Sequence, residues 1–314
     1  MYRYRHLMVA LSLGEQDESS IRYAALVSTL AKCERVTFLH TTSTLDIPEE
    51  IRAEYPDLAH PGDEFARNAM QELVSKYYDG PPEVELLFEV AEGSPLVELL
   101  RRARDHEIDM IIMGKRREPT ADGTLPEKLA RKAPCSVLLV PEGGNASFAS
   151  VLVPTDFSEN SIDAMDVAVA FASAAGIDEI HCLHAYSVPL GYYKTGKSYE
   201  EFAEIMRGHA EKKYQEYLRY NVCQGDTVCE LRDLKGITIT PIFKLAAKAA
   251  HAIEAVVKEH EIDLLIIGAR GRRAAAGVLL GSVTEHQIRT TTIPILAVKK
   301  KGTGMSIIDA LLNL

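Results

Sequence analysis

The chain has 314 residues, 46% hydrophobic and 25% charged, the balance of a folded globular protein rather than a disordered one. A formal net charge of −10 argues against a general nucleic-acid or anionic-membrane surface. No apolar run approaches the roughly 18–20 residues that span a bilayer, and the length points to two domains.

In chain order, strands and helices alternate. Met1-Tyr2-Arg3-Tyr4-Arg5-His6 enters an apolar strand over 5–11 with no leader pattern, so a cytoplasmic address is expected. A helix over 18–33, a strand over 35–40, a Pro-rich loop over 46–62 and a helix over 63–78 follow. Then come a strand over 83–90, a helix over 95–106, a strand over 108–113, a helix over 124–133 and a strand over 136–140. The strands are short, nearly continuous apolar runs, the mark of a parallel sheet covered on both faces. Pro141-Glu142-Gly143-Gly144-Asn145-Ala146-Ser147 reads as a linker. The five cysteines, Cys33, Cys135, Cys182, Cys223 and Cys229, are scattered and odd in number, as for reduced thiols.

The order then repeats over 149–299. His106-Glu107-Ile108-Asp109 recurs as His260-Glu261-Ile262-Asp263, at an offset of 154, and each copy runs through four apolar residues to a glycine, Gly114 or Gly268. Val9 and His40 match Val153 and His184 at an offset of 144, and Val137-Leu138-Leu139-Val140 matches Ile295-Leu296-Ala297-Val298 at 158. A repeat this long is a domain duplication. The expected domains are 1–143 and 148–301, followed by a tail over 302–314. In that tail Ile307, Ile308, Leu311, Leu312 and Leu314 lie on a short helical pattern that needs a docking surface.

After the strand Ile262–Ile267 comes Gly268-Ala-Arg270-Gly271, then nine residues, then Gly281-Ser282-Val283 and a helical pattern. Glycines between a strand's carboxyl end and a helix's amino end let main chain approach a ligand, where free N–H groups and the helix dipole favour phosphate. Ser282 and Glu285 fit a capping box, as do Thr124 and Glu127 in the first half.

The spacing Gly-x2-Gly-x9-Gly-Ser after a buried strand, together with Val151-Leu152-Val153-Pro154-Thr155-Asp156-Phe157-Ser158 and Ala133-Pro134-Cys135, resembles the universal stress protein family. The resemblance covers nearly the whole chain. It implies an α/β fold of two tandem doubly wound domains, each a five-stranded parallel sheet of order 3-2-1-4-5 with helices on both faces. It further implies an adenine-nucleotide site of the ATP class (ATP, ADP or AMP) in the second half. Asp156 would contact the adenosine, Pro154 and Thr155 would shape the pocket, and Ala185 would meet the adenine edge. Gly268, Gly271, Gly281 and Ser282 would hold the phosphates, with Val283 and Arg270 beside them. Mg²⁺ or Mn²⁺ would accompany a triphosphate, and a homodimer is expected. No His, Glu or Ser constellation reads as a catalytic unit, so any hydrolysis would be slow and incidental. Asp156 also has a plainer role open to it, capping the helix that begins near Ser158.

The first half departs at each of these points, with Ser12 for the aspartate, Ala10 for the proline and Arg117 for the second glycine, and its loop to Gly123-Thr124 is four residues shorter. Lys115, Arg116 and Arg117 read as a solvated basic loop. One departure runs the other way: Gly93-Ser94-Pro95 keeps a family pattern that the second half replaces with Ala247-Lys248-Ala249.

Two readings compete. Gly191-Tyr192-Tyr193-Lys194-Thr195-Gly196-Lys197-Ser198 satisfies the Walker A pattern, which would make the chain a P-loop NTPase using Lys197 and Ser198. Ser187-Val188-Pro189-Leu190 nevertheless separates it from the preceding strand, and the stretch belongs to an excursion over 187–235. Alternatively the chain is an interaction module with a vestigial nucleotide site. His181, Cys182 and His184 make a poor metal site, because His181 takes the opposite strand face. Tyr199 to Tyr220 reads as an amphipathic helix with Phe202, Ile205, Tyr214 and Tyr217 inward.

Overall fold

Parallel pairing is set by the apolar runs themselves, which cannot leave either face in water. The computed structural model describes residues 4–14, 16–42, 61–118, 123–144, 146–218, 236–271, 280–300 and 302. It divides into two compact units, Arg3–Ser147 and Phe148–Lys299. Of the Pro-rich loop expected over 46–62, residues 46–60 lie outside the described residues and 61–62 already belong to a helix; Cys223, Cys229 and, of the tail over 302–314, residues 303–314 also lie outside them.

In the N-terminal unit the strands are β1 (His6–Leu11), β2 (Arg35–Thr42), β3 (Glu85–Glu92), β4 (Met110–Lys115) and β5 (Ser136–Pro141). They run parallel in the order β3-β2-β1-β4-β5. The helices are α1 (Asp17–Ala31), α2 (Pro61–Tyr77), α3 (Pro95–Asp105) and α4 (Leu125–Lys132). The C-terminal unit repeats the plan with β6 (Val151–Pro154), β7 (Glu179–Tyr186), β8 (Thr238–Leu245), β9 (Leu264–Gly268) and β10 (Ile295–Val298). Their order is β10-β9-β6-β7-β8, and the helices are α5 (Glu159–Ala175), α6 (Tyr199–Tyr217), α7 (Ala249–Glu259) and α8 (Ser282–Thr290). Each unit is thus the five-stranded doubly wound sheet the sequence leads one to expect. Order 3-2-1-4-5 reverses direction beside the first strand, and that crevice at the strands' carboxyl ends is where open α/β sheets bind ligands.

The repeated aspartate fixes the start of the first strand in each unit. Asp109 Oδ2 accepts N–H bonds from Arg5 and His6 at 2.8 and 3.0 Å. Asp263 does the same for Ala149 and Ser150, both at 3.0 Å. One carboxylate per unit therefore satisfies two N–H groups that the strand ladder leaves over. The connection replacing Gly93-Ser94-Pro95 is also explained. Gly93 turns at φ +129 in a two-residue link between β3 and α3. The link from β8 to α7 has three residues, 246–248, and none of them takes positive φ, so no glycine is needed there.

Three expectations need correction. The N-cap of α8 is Gly281, not Ser282, and no side-chain cap bond forms. Thr124 caps α4 by position without a side-chain bond, while Glu127 reaches back to the Gly123 N–H at 3.1 Å. Lys115 is not part of a solvated loop: it is still in β4 and only 4% exposed, and burial lowers its ammonium to about 8.

Candidate functional site

Two loops at the carboxyl end of the C-terminal sheet make the site. The first follows β6. Thr155 extends the ladder by donating its N–H to the Leu183 carbonyl at 2.8 Å. Its Oγ1 accepts the Phe157 N–H at 3.0 Å and bonds Ser161 Oγ at 3.1 Å. Phe157 is held at φ +63, a left-handed conformation that costs a non-glycine residue about 1–2 kcal/mol. Its ring stacks on His184 with centroids 4.4 Å apart, and His184 Nδ1 donates to the Thr155 carbonyl at 2.8 Å. The same left-handed turn recurs at Leu13 in the N-terminal copy, so it sets the shape of the loop in both units. Asp156 Oδ1 accepts the Ser158 N–H at 3.1 Å, a local turn bond and not the helix cap expected of it, since α5 has Ser158 as its N-cap and no side-chain cap bond. Its other oxygen faces the second loop, since a Cβ on Gly271 would fall 2.7 Å from Oδ2.

The second loop follows β9. A Cβ on Gly268 would sit 2.6 Å from the Asn160 carbonyl oxygen, so glycine is required there by the packing of α5 against the strand end. Gly281 donates its N–H to the Ala269 carbonyl at 2.8 Å, and Thr284 Oγ1 donates to the Gly268 carbonyl at 2.9 Å. These two bonds pin the amino end of α8 to the end of β9. The N–H groups of its first turn have no intrahelical acceptor and carry the positive end of the dipole. Gly281 itself has φ −78 and ψ 148, open to any residue, and a Cβ would find only ordinary contacts at 3.5 Å. Its missing side chain is therefore not demanded by the fold. Residues 272–279, between the two ends, lie outside the described residues.

The loops enclose a cleft of about 840 Å³, within the range of small-molecule sites. Its lining includes Pro154, Thr155, Asp156, Ala185, Gly268, Arg270, Gly271, Gly281, Ser282 and Val283, so the ten positions singled out in the sequence come together. It also includes residues that sequence reasoning missed. Met206 arrives from α6, inside the excursion, and Ala246, Ala247 and Ile253 form the wall next to α7. The short alanines there follow from the Ala-Lys-Ala substitution, which was the visible signal. Among the described residues Arg270 is the arginine or lysine in the lining, while Asp156 and Glu285 contribute carboxylates.

In the N-terminal unit the equivalent loop is filled from within. Asp17, the first residue of α1, is 2% exposed. Its carboxylate accepts N–H bonds from Ser12, Leu13 and Gly14 at 3.0, 2.6 and 3.2 Å. Leu13 takes φ +62, matching Phe157. The nest after β1 thus holds the chain's own anion, where the C-terminal copy has Ser161 at the equivalent position. Arg117, at the second-glycine position, is exposed.

The competing motifs take other shapes. Tyr192–Thr195 is an exposed 3-10 turn, and Ser198 caps α6 in a reciprocal capping box with Glu201, at 2.8 and 3.1 Å. A carboxylate thus sits where a P-loop would hold phosphate, and neither Lys194 nor Lys197 is among the residues lining the cleft. Along β7, burial pushes the Cys182 thiol up to about 12, so it offers no thiolate, and His181 turns instead towards His260. On α6, Tyr214 and Tyr217 are buried and donate to the Ile239 and Ser161 carbonyls. Ile205, expected inward, is exposed.

Comparison with known proteins places these observations. The model of the universal stress protein family matches residues 3–141 and 147–299. Universal stress protein MJ0577 of Methanocaldococcus jannaschii is 26% identical over 167 residues, spanning 50% of this chain and 98% of that protein. Universal stress protein YxiE of Bacillus subtilis is 28% identical over 156 residues, spanning 48% of this chain and 99% of that protein. A solved universal stress protein from Archaeoglobus fulgidus superposes with a TM-score of 0.62 at 18% identity, covering 94% of this chain and 98% of its own. A functionally unknown protein, PA1789 of Pseudomonas aeruginosa, superposes with a TM-score of 0.61 at 16% identity, covering 99% and 97%. At these identities the structural likeness speaks to the fold. The curated relatives are each about half as long as this chain, as a duplication requires.

Proposed function

The chain belongs to the universal stress protein family, and from that premise we propose that its C-terminal unit binds an adenine nucleotide of the ATP class and that the protein acts as a nucleotide-binding regulator rather than by catalysis. The observation that carries this reading is the convergence of the strained Thr155–Ser158 loop, the glycines at the end of β9 and the amino end of α8 on one cleft. Anions favour a helix N-terminus approached by bare main chain. The phosphates would lie against Gly268, Gly271, Gly281, Ser282 and Val283, with Arg270 beside them. Asp156, at the end of β6, would hold the ribose of the adenosine, and Ala185 would face the adenine edge. Pro154 and Thr155 shape the wall between them.

A triphosphate brings more negative charge than Arg270, the arginine among the described lining residues, offsets. Glu285, in the first turn of α8, supplies an oxygen donor of the kind Mg²⁺ and Mn²⁺ take, so a divalent ion bound with the phosphates fits the cleft. The N-terminal domain, 1–143 in this reading, is a scaffold: Asp17 fills the loop after β1 that corresponds to the Asp156 loop, and Arg117 replaces the second glycine of the phosphate loop. The C-terminal domain, 148–301, carries the site, and a cytoplasmic homodimer completes the reading. Among the described residues no helix is long and apolar enough to cross a membrane.

The test is nucleotide analysis of the purified chain by mass spectrometry, followed by calorimetric titration with ATP, ADP, AMP and GTP, with Mg²⁺ and with chelator. The reading expects co-purified adenine nucleotide, or micromolar binding of ATP that GTP does not match and that Asp156→Ala weakens at least about tenfold, close to 1.4 kcal/mol. Absence of any adenine-nucleotide binding would leave the interaction-module reading. Loss in Lys197→Ala instead would favour the P-loop reading. Sedimentation velocity checks the homodimer.

A further inference from the structure

Helices α7 and α8 carry a second cluster, of residues that do not line the nucleotide cleft. His251 and Glu254 stand three residues apart on α7 and share a face. His286 reaches them from α8, its Nε2 donating to Glu254 Oε1 at 2.9 Å. Thr290 Oγ1 donates to the same oxygen at 3.0 Å and holds the carboxylate in place. The His251 and His286 ring centroids are 6.1 Å apart. One ligand atom from each of the three residues lies within 4.8 Å of the others.

We propose that His251, Glu254 and His286 form a binding site for a first-row transition-metal ion of the Zn²⁺ class. Two imidazoles and one carboxylate are the donor set that Zn²⁺, Co²⁺, Ni²⁺ and Cu²⁺ take, whereas Mg²⁺ and Ca²⁺ take oxygen. A tetrahedral ion with bonds near 2.1 Å holds its ligand atoms about 3.4 Å apart. The His286–Glu254 pair, at 2.9 Å, would open by about half an ångström to admit the ion in place of the shared proton, and His251, exposed on its helix, closes in by side-chain rotation.

An ion pair between the two helices would need only Glu254 and His286. The second imidazole adds only a through-space attraction to Glu254, but it completes a ligand set. The duplication supplies an internal contrast, because the equivalent positions in the N-terminal unit are Val97, Leu100 and Lys128, none of which supplies this chemistry. Glu254 is partly exposed and His251 exposed, so remaining coordination positions open to water. The ion would clamp α7 to α8, the two helices whose amino ends line the nucleotide cleft.

The experiment uses the full chain, stripped of metal and free of nucleotide, titrated with Co²⁺ and read by visible d–d absorption, with Zn²⁺ as competitor. A single saturable site is expected, displaced by Zn²⁺ and weakened at least about tenfold in His251→Ala and in His286→Ala. Metal-free thermal unfolding of His251→Ala should match the parent, since that side chain lies at the surface, while Zn²⁺ should raise the Tm of the parent and not of the variant. No saturable Co²⁺ band, or a band whose affinity in both histidine variants equals that of the parent, overturns the proposal.

Discussion

Two glycines of the same loop should respond to alanine in opposite ways. At Gly281 the backbone has φ −78 and ψ 148, and an added Cβ meets Arg270 Cα and Gly271 N at 3.5 Å and the Ala269 oxygen at 3.6 Å. Reducing unfolded-state freedom gains about 0.4–1 kcal/mol. Alanine is a poorer N-cap than glycine by about 0.5–1 kcal/mol, so the two effects nearly cancel. Gly281→Ala should therefore unfold within about 3 °C of the parent. At Gly268 the Cβ would land 2.6 Å from the Asn160 oxygen and 2.8 Å from its carbonyl carbon, both backbone. Moving α5 off the strand costs about 1–3 kcal/mol, or more, and a drop in Tm of about 4–10 °C follows. Nucleotide binding reverses the contrast of fold and function: Gly281→Ala should keep the fold and lose ATP affinity at least about tenfold, because its methyl takes the place of an approaching phosphate. Thermal unfolding and calorimetry with MgATP on both variants decide it. Parental ATP affinity in Gly281→Ala would refute the placement of phosphate, and parental stability in Gly268→Ala would refute the packing.

Other consequences are as direct. Asp263→Ala strips the acceptor from the Ala149 and Ser150 N–H groups and should cost about 2–3 kcal/mol in chemical denaturation, and Asp109→Ala the same through Arg5 and His6. Parental stability in either would show that these bonds do no more than water. Lys115 is lowered by burial from 10.5 to about 8, so the unfolded chain binds more protons between those values and stability should rise with pH across that window. Lys115→Met should lack that rise, as read from paired denaturation curves between pH 8 and 10.5; a constant difference from the parent would contradict it. Lys197→Ala should bind ATP as the parent does while Ser198→Ala loses about 1 kcal/mol of stability, because Ser198 serves α6 and not a phosphate.

Much of this was legible in the sequence because the signals are local. Buried parallel strands announce themselves as short apolar runs, the duplication through two identical tetrapeptides, and the glycine loop through its spacing. What escaped was set by tertiary contact or by residues that violate their own type. Leu13 and Phe157 adopt left-handed backbone without glycine, so no composition signal marks the tight loops after β1 and β6. Ser12 revealed that the first loop had changed, but not that Asp17, five residues on, would fold back into it. The Lys115-Arg116-Arg117 run hid the fact that its first member is still in a buried strand. Ser282 followed by Glu285 imitates a capping box, yet Gly281 takes the cap because its N–H is tied to Ala269. His251 and His286 lie too far apart in sequence to read as ligands until α7 and α8 meet.

The asymmetry between the two copies is tested most directly by hydrogen–deuterium exchange with and without MgATP. Slower exchange is expected in peptides covering 155–158, 268–271 and 280–284, with no change over 12–14 and 114–117. Protection at the N-terminal loops, or none in the C-terminal ones at saturating nucleotide, would contradict it.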